Sequence, residues 1–198
     1  TGSLSERLSR NPYLMAPMAG VTDAAYRLMA RAGGAGLAYS EMVSVAGIHY
    51  GGEKTWDLVC PRDGESELAV QLFGSKPEQF REAAARVQER LGRRLALIDV
   101  NMACPVPKVT RKGGGAALPW KRDLLSAILR ETVRCAQAAS AAVGREHPVP
   151  VTVKTRVGID EEHETYLDVA RAAESAGVAA IALHGRTARQ HYAGKAHW

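Results

Sequence analysis

The stretch LALIDVNMACPVPKV, residues 95–109, decides how this chain is read. Its first eight residues are nearly all apolar, as a strand buried on both faces of a parallel sheet has to be. The rest is a loop that carries Cys104 beside a proline, with Asn101 just before it and Lys108 beyond. A cysteine that only packs belongs inside the apolar run. This one stands where a strand hands the chain to a turn, the place where barrel enzymes keep their chemistry.

The same unit recurs along the chain: a short apolar run, a turn with polar or glycine residues, then a helical pattern. The expected strands are YLMAPM (13–18), GLAYSEMV (36–43), LAVQLF (68–73), LALIDVNM (95–102), VPVTVKTRV (149–157) and VAAIALHG (178–185). The expected helices lie between them. DAAYRLMARAG stops at Gly33 and Gly34, and KPEQFREAAARVQERLG runs from Pro77 to Gly92. KRDLLSAILRETVRCAQAAS and the span from Glu161 to Gly177 are apolar at three- and four-residue steps.

Alternating strands and helices indicate an α/β fold with a parallel sheet, either open and doubly wound or a TIM (β/α)8 barrel. No GxGxxG follows the first strand, so the dinucleotide fingerprint is missing. Met18, Glu41, Gln71, Asn101, Lys154, Arg156 and His184 fall at or near strand ends. In a barrel those ends share one mouth, and the barrel is the expected fold. Only about six βα units are present where a barrel takes eight and about 250 residues. The chain is therefore expected to be part of a longer or processed protein, with residues 1–11 a tail and 12–198 an incomplete barrel domain.

Composition narrows the class. Of 198 residues, 46% are hydrophobic and 24% charged, which suits a globular core. No apolar run reaches the roughly 18 residues of a membrane span, and no signal-peptide pattern opens the chain. Cys60, Cys104 and Cys135 are widely spaced without a CxxC. Neither a disulfide framework nor a metal site is expected, and a reducing cytoplasm is the simplest compartment. A net charge of +5 permits an anionic partner such as RNA, but scattered surface basics explain it equally.

Five places bear chemistry. In APMAGVTD (16–23), Pro17, Met18 and Ala19 form a small-residue turn, either a tight βα connection or a backbone edge open to a flat ligand. Gln71 is an amide inside an apolar strand, bonded to a neighbouring strand or to a ring with donors and acceptors. Lys154 is a cation inside another, needing a carboxylate or a bound electron-rich group, with Arg156 two residues on and on the same face. His184 closes the last strand beside Gly185 and Arg186, as a structural or a catalytic histidine. Cys104 is either an inert thiol or a proton donor to a developing carbanion, and Asn101 positions a substrate or the thiol loop.

Taken together and in this order, these pieces resemble the tRNA-dihydrouridine synthases, specifically the bacterial branch also called NifR3-like. The resembling segments are APMAGVTDAAYR, SEMVS, VQLFGSKPEQF, IDVNMACPVPKVTRKGGGAAL, PVTVKTRVG and IALHGRTARQHYAGKAHW. The resemblance implies a cytoplasmic FMN enzyme on a TIM barrel. NADPH (or NADH) would reduce the flavin, and the flavin would pass hydride to a uracil flipped out of tRNA. Cys104 would supply the proton. Pro17, Met18, Ala19, Gln71, Lys154 and His184 would contact the flavin, and Asn101, Lys108, Arg156 and Arg186 the uracil or the RNA. Two departures accompany it. The family has glycine before the cysteine, where Ala103 stands here, so a loop needing positive φ would be strained. Family members also continue into two further strands that hold the FMN phosphate and a helical tRNA-binding domain. A dihydroorotate-type FMN dehydrogenase and an inactive RNA-binding relative are the competing readings.

Overall fold

Six strands lie side by side in chain order, every neighbouring pair parallel, in a computed structural model that describes residues 3–142 and 144–197. Thr1 and Gly2 of the expected tail and Trp198 of the last resembling segment lie outside the described residues. The strands are β1 (Leu14–Met15), β2 (Leu37–Ser44), β3 (Leu68–Phe73), β4 (Leu95–Met102), β5 (Val151–Arg156) and β6 (Ala180–His184). The helices are α1 (Leu4–Arg10), α2 (Ala24–Ala32), α3 (Val45–His49), α4 (Glu53–Asp57), α5 (Pro77–Leu91), α6 (Pro107–Thr110), α7 (Arg122–Ala142) and α8 (Tyr166–Ala176). The sheet curls into a partial TIM barrel with α5, α7 and α8 on its outer face.

Alternation along each strand sorts side chains between two layers. Outward, Leu68, Val70, Leu72, Ile98, Val100, Met102, Val151 and Val153 join Phe80, Ala84 and Val87 of α5 and Ile128 and Leu129 of α7 in one buried core. Inward, Leu37, Tyr39, Ala69, Ala96 and Leu97 form a smaller apolar floor. Above that floor the inward positions turn polar.

Two local expectations need correction. The first strand is only Leu14–Met15, so Met18 sits three residues past its end. Pro17 has no N–H for a ladder, and the Met18 carbonyl instead accepts from the N–H groups of Val21 and Thr22. The helix expected from Glu161 starts at Tyr166. Gly158 pairs antiparallel with Glu164, and a Cβ on Gly158 would meet the His163 oxygen at 2.2 Å, so this approach requires glycine. The tail contains a helix, α1, closed by a capping box in which Ser3 Oγ accepts from Glu6 N–H and the Glu6 carboxylate accepts from Ser3 N–H. The S-x-x-E spacing that signals it is present in the sequence.

Candidate active site

Register stacks the polar inward residues in tiers. Gln71, Asp99, Thr152 and Ala180 occupy neighbouring positions on β3 to β6. One tier nearer the mouth, Asn101, Lys154 and Ala182 are neighbours, and above them Arg156 pairs with His184. The alanines of β6 leave room beside Thr152 and Lys154.

A hydrogen-bond line crosses the lower tiers. The Thr152 hydroxyl donates to Asp99 Oδ1 at 2.6 Å, and Gln71 Nε2 donates to Asp99 Oδ2 at 2.6 Å. Asn101 Nδ2 donates to Gln71 Oε1 at 2.8 Å. Asn101 Oδ1 accepts from the N–H groups of Ala103 and Cys104 at 3.2 and 3.1 Å. Asn101 therefore holds the thiol loop, one of the two roles open to it from sequence. Gln71 is nearly sealed, at 1% exposure, and its backbone N–H is taken by Ser40 Oγ where β2 is irregular.

Cys104 is half-buried at the top of this line. Its loop folds back on itself, with Ala116 N–H donating to the Cys104 carbonyl at 2.9 Å. Gly115 makes that possible. It has φ +55°, and a Cβ there would lie 2.5 Å from the Cys104 oxygen. Ala103 is not in the positive-φ region, so the strain anticipated from alanine in place of glycine does not arise. Lys108 is exposed on α6, just past the loop, with Arg111 and Lys112 beside it.

Arg156 lies on the inward face with Lys154, as the strand period requires, but it is only 3% exposed. Its Nε donates to the Ala103 carbonyl at 2.9 Å, and Nη1 donates to the carbonyls of Thr187 and His191, each at 2.9 Å. It clamps the thiol loop to the loop after β6, where His191 has a positive φ of 49°. Arg186 donates to the carbonyls of Ala193 and Gly194 and stands 3.4 Å from His184 Nε2. Both arginines brace loops by backbone carbonyls.

The Pro17–Ala19 turn forms the opposite rim. Gly20 N–H donates to Glu41 of β2, and Thr22 bonds both ways with Met18. Arg27 anchors the turn from below by donating to the Thr22 carbonyl, while its Nε and Nη2 bond Glu65 at 2.6 and 2.8 Å.

Burial dominates the electrostatics. It pushes the Asp99 carboxyl up to about 6, against its hydrogen bonds from Gln71 and Thr152 and the Lys154 charge. The Lys154 ammonium is lowered by burial, although Asp99 pulls the other way. His184 falls to about 4, first from burial and then from the charges of Arg156, Lys154 and Arg186, so it is neutral at pH 7. The Tyr39 phenol is raised by burial and by Asp99. Sequence reasoning passed over Asp99, Thr152 and Tyr39. The signal for Asp99 was its two-residue offset from Asn101, which puts both on one face.

The arrangement combines a backbone edge of small residues, a nearly sealed amide bonded to Asp99 and Asn101, a half-buried ammonium and a neutral imidazole. These suit a flat, polar-edged ring, with a thiol loop above it. Among the described residues no three His, Cys, Asp or Glu side chains come together to hold a metal, and no helix is long and apolar enough to cross a membrane.

The family pattern described as Dihydrouridine synthase (Dus) matches residues 14–198. A "Probable tRNA-dihydrouridine synthase" of Mycobacterium tuberculosis is 41% identical over 196 residues, covering 95% of this chain and 48% of that protein. A "tRNA-dihydrouridine synthase B" of Xanthomonas campestris is 38% identical over 93% of this chain and 52% of its own length. One of the same name from Pseudomonas aeruginosa is 39% identical over 95% and 52%. The chain spans about half the length of the curated relatives it matches.

Proposed function

The chain belongs to the dihydrouridine synthase family, and on that premise we propose that the protein containing it reduces the C5–C6 bond of specific uridines in tRNA. FMN, reduced by NADPH or NADH, is the cofactor in this reading and supplies the hydride when bound.

The observation that carries the proposal is the thiol loop, held by Asn101 on one side and Arg156 on the other above the Gln71 and Lys154 tiers. Cys104 serves as the proton donor to the uracil carbon that becomes carbanionic. Gln71, already bonded to Asp99 and Asn101, would have one Nε2 hydrogen and one Oε1 lone pair left for the flavin. Lys154 would hold the flavin by its ammonium and favour negative charge on it, an effect that its partial burial would strengthen. Pro17, Met18 and Ala19 line the other side, and neutral His184 closes the ring pocket. The exposed Lys108, Arg111, Lys112 and Lys121 around the loop suit contacts to RNA phosphates. A base must leave its stack to reach so recessed a thiol. A cytoplasmic location follows from tRNA as substrate.

Purifying the natural full-length protein and recording its visible spectrum tests the cofactor. A tRNA reduction assay with wild type and Cys104→Ala tests the chemistry. A flavin spectrum, dihydrouridine in tRNA, and loss of product in the variant are expected. A colourless protein that takes up no added FMN, or reduction of free orotate in place of tRNA, overturns the reading.

A further inference from the structure

One carboxylate, two side-chain amides and a hydroxyl run in a line through the barrel interior, and their donors and acceptors are not interchangeable. The constraint starts at the loop. The N–H groups of Ala103 and Cys104 are fixed backbone donors, so Asn101 has to turn its oxygen to them. Asn101 Nδ2 then faces Gln71 and requires Oε1 there. Gln71 Nε2 is thereby aimed at position 99 and requires an acceptor in turn. Asp99 Oδ2 is that acceptor, while Oδ1 takes the Thr152 hydroxyl. An ionised carboxylate presents acceptors only, so it permits no other arrangement of the two amides.

We infer that Asp99 is a positioning residue for the Cys104 loop: by presenting oxygen to Gln71 at the buried end of this relay, it sets the orientation of Gln71 and Asn101 and keeps Asn101 Oδ1 on the two N–H groups that begin the loop. The inference deepens the reading of Cys104 as proton donor and rests on it. The relay also determines which edge of Gln71 is left to a ligand.

The surroundings of Asp99 allow the polarity to be reversed. Tyr39 comes from β2, Gln71 from β3, Asn101 from β4, and Thr152 and Lys154 from β5. Lys154 neighbours Asn101 in register and acts on Asp99 by its charge, so a negative charge at position 99 or 101 meets the same ammonium. Asn101→Asp alone opposes two acceptors, at Gln71 Oε1 or, if Gln71 turns over, at Asp99. Adding Asp99→Asn restores one donor per acceptor with the whole line reversed. Gln71 Nε2 then donates to the new carboxylate at position 101. The new amide at position 99 donates through its nitrogen to Gln71 Oε1, and its oxygen accepts from the Thr152 hydroxyl.

The test uses the natural full-length protein carrying Asp99→Asn, Asp99→Leu, Asn101→Asp, or Asp99→Asn with Asn101→Asp. Two readouts need neither flavin turnover nor tRNA: thermal melting from pH 5 to 8, and iodoacetamide alkylation of Cys104 followed by peptide mass spectrometry. Asp99→Asn keeps an acceptor towards Gln71, so its Cys104 alkylation should stay near wild type, and its melting should differ only by the pH dependence that the Asp99 carboxyl itself contributes. Asp99→Leu leaves Gln71 Nε2 unpaired and should raise Cys104 alkylation by roughly tenfold, the scale of losing a buried hydrogen-bond partner. Asn101→Asp should melt below wild type by a margin that widens as pH rises, because a proton relieves the opposed acceptors. The double variant should recover the wild-type melting temperature and lose the extra fall with pH that Asn101→Asp alone adds. If Asn101→Asp does not fold, folding of the double variant carries the same meaning. No rescue in the double variant, or equal damage from Asp99→Asn and Asp99→Leu, overturns the inference. Because these readouts do not involve tRNA, a failed relay beside intact Cys104-dependent reduction sinks this inference alone. An intact relay with no loss of product in Cys104→Ala sinks the functional reading.

Discussion

Strands β3, β4 and β5 turn two unlike faces to their surroundings. Towards the helices, Leu68, Val70, Leu72, Ile98, Val100, Met102, Val151 and Val153 are almost wholly buried and apolar. Towards the barrel interior, Gln71, Asp99, Asn101, Thr152, Lys154 and Arg156 are polar or charged. The outer face is held by removal of area from water and tolerates any close-packed set of similar volume. The inner face is held by one-to-one matching of donors and acceptors, where a single wrong atom leaves a partner stranded. The same short strands therefore carry stability on one side and chemistry on the other.

The sharpest break between the faces is at the thiol. Cys104→Ala should lower dihydrouridine formation by about 10²–10⁴-fold, the usual contribution of a placed proton donor. Its melting temperature should stay close to wild type, because the half-buried thiol adds little packing. A loss of fold in that variant would erase the distinction.

The mirror experiment is on the outer face. Ile98→Ala, at a fully buried position, should cost about 2–5 kcal/mol in denaturant unfolding. Below its melting point, Cys104 alkylation should be unchanged. If alkylation accelerates, the two faces are coupled more closely than their packing indicates.

A smaller effect follows from Asp99. Its folded pKa of about 6 lies above the ordinary 3.8, so the folded chain holds this proton more tightly than the unfolded one. The resulting stabilisation is complete below about pH 4 and is lost as pH rises through about 6, roughly 3 kcal/mol in all. Thermal or urea unfolding of wild type minus Asp99→Asn should fall across that window. A rising difference would mean that Lys154 and the hydrogen bonds outweigh burial.

The mildest change touches neither face. Ser3→Ala removes the cap of α1 and should cost about 1 kcal/mol, seen as faster amide exchange in the first turn of the helix. Cys104 alkylation and product formation should not move.

Much of this was legible in the chain. Six apolar runs at βα spacing specify a parallel sheet because a strand covered on both faces must be apolar nearly throughout. The ordered motifs placed Cys104, Asn101, Gln71, Lys154 and Arg156 at one end of that sheet, since period-two alternation and strand direction leave no other place for them. Boundaries were less legible: Pro17, which has no N–H for the ladder, ended β1 early, and the pairing of Gly158 with Glu164 delayed α8. Partnership emerged only with the three-dimensional fold. Asn101 and Gln71 are thirty residues apart and meet because β3 and β4 are neighbours in register. Arg156 reached backbone carbonyls through loops that sequence periodicity does not place. Periodicity tells which face a side chain takes. Which atom it meets there depends on strand order, register and loop closure, and these are set by packing of the whole chain.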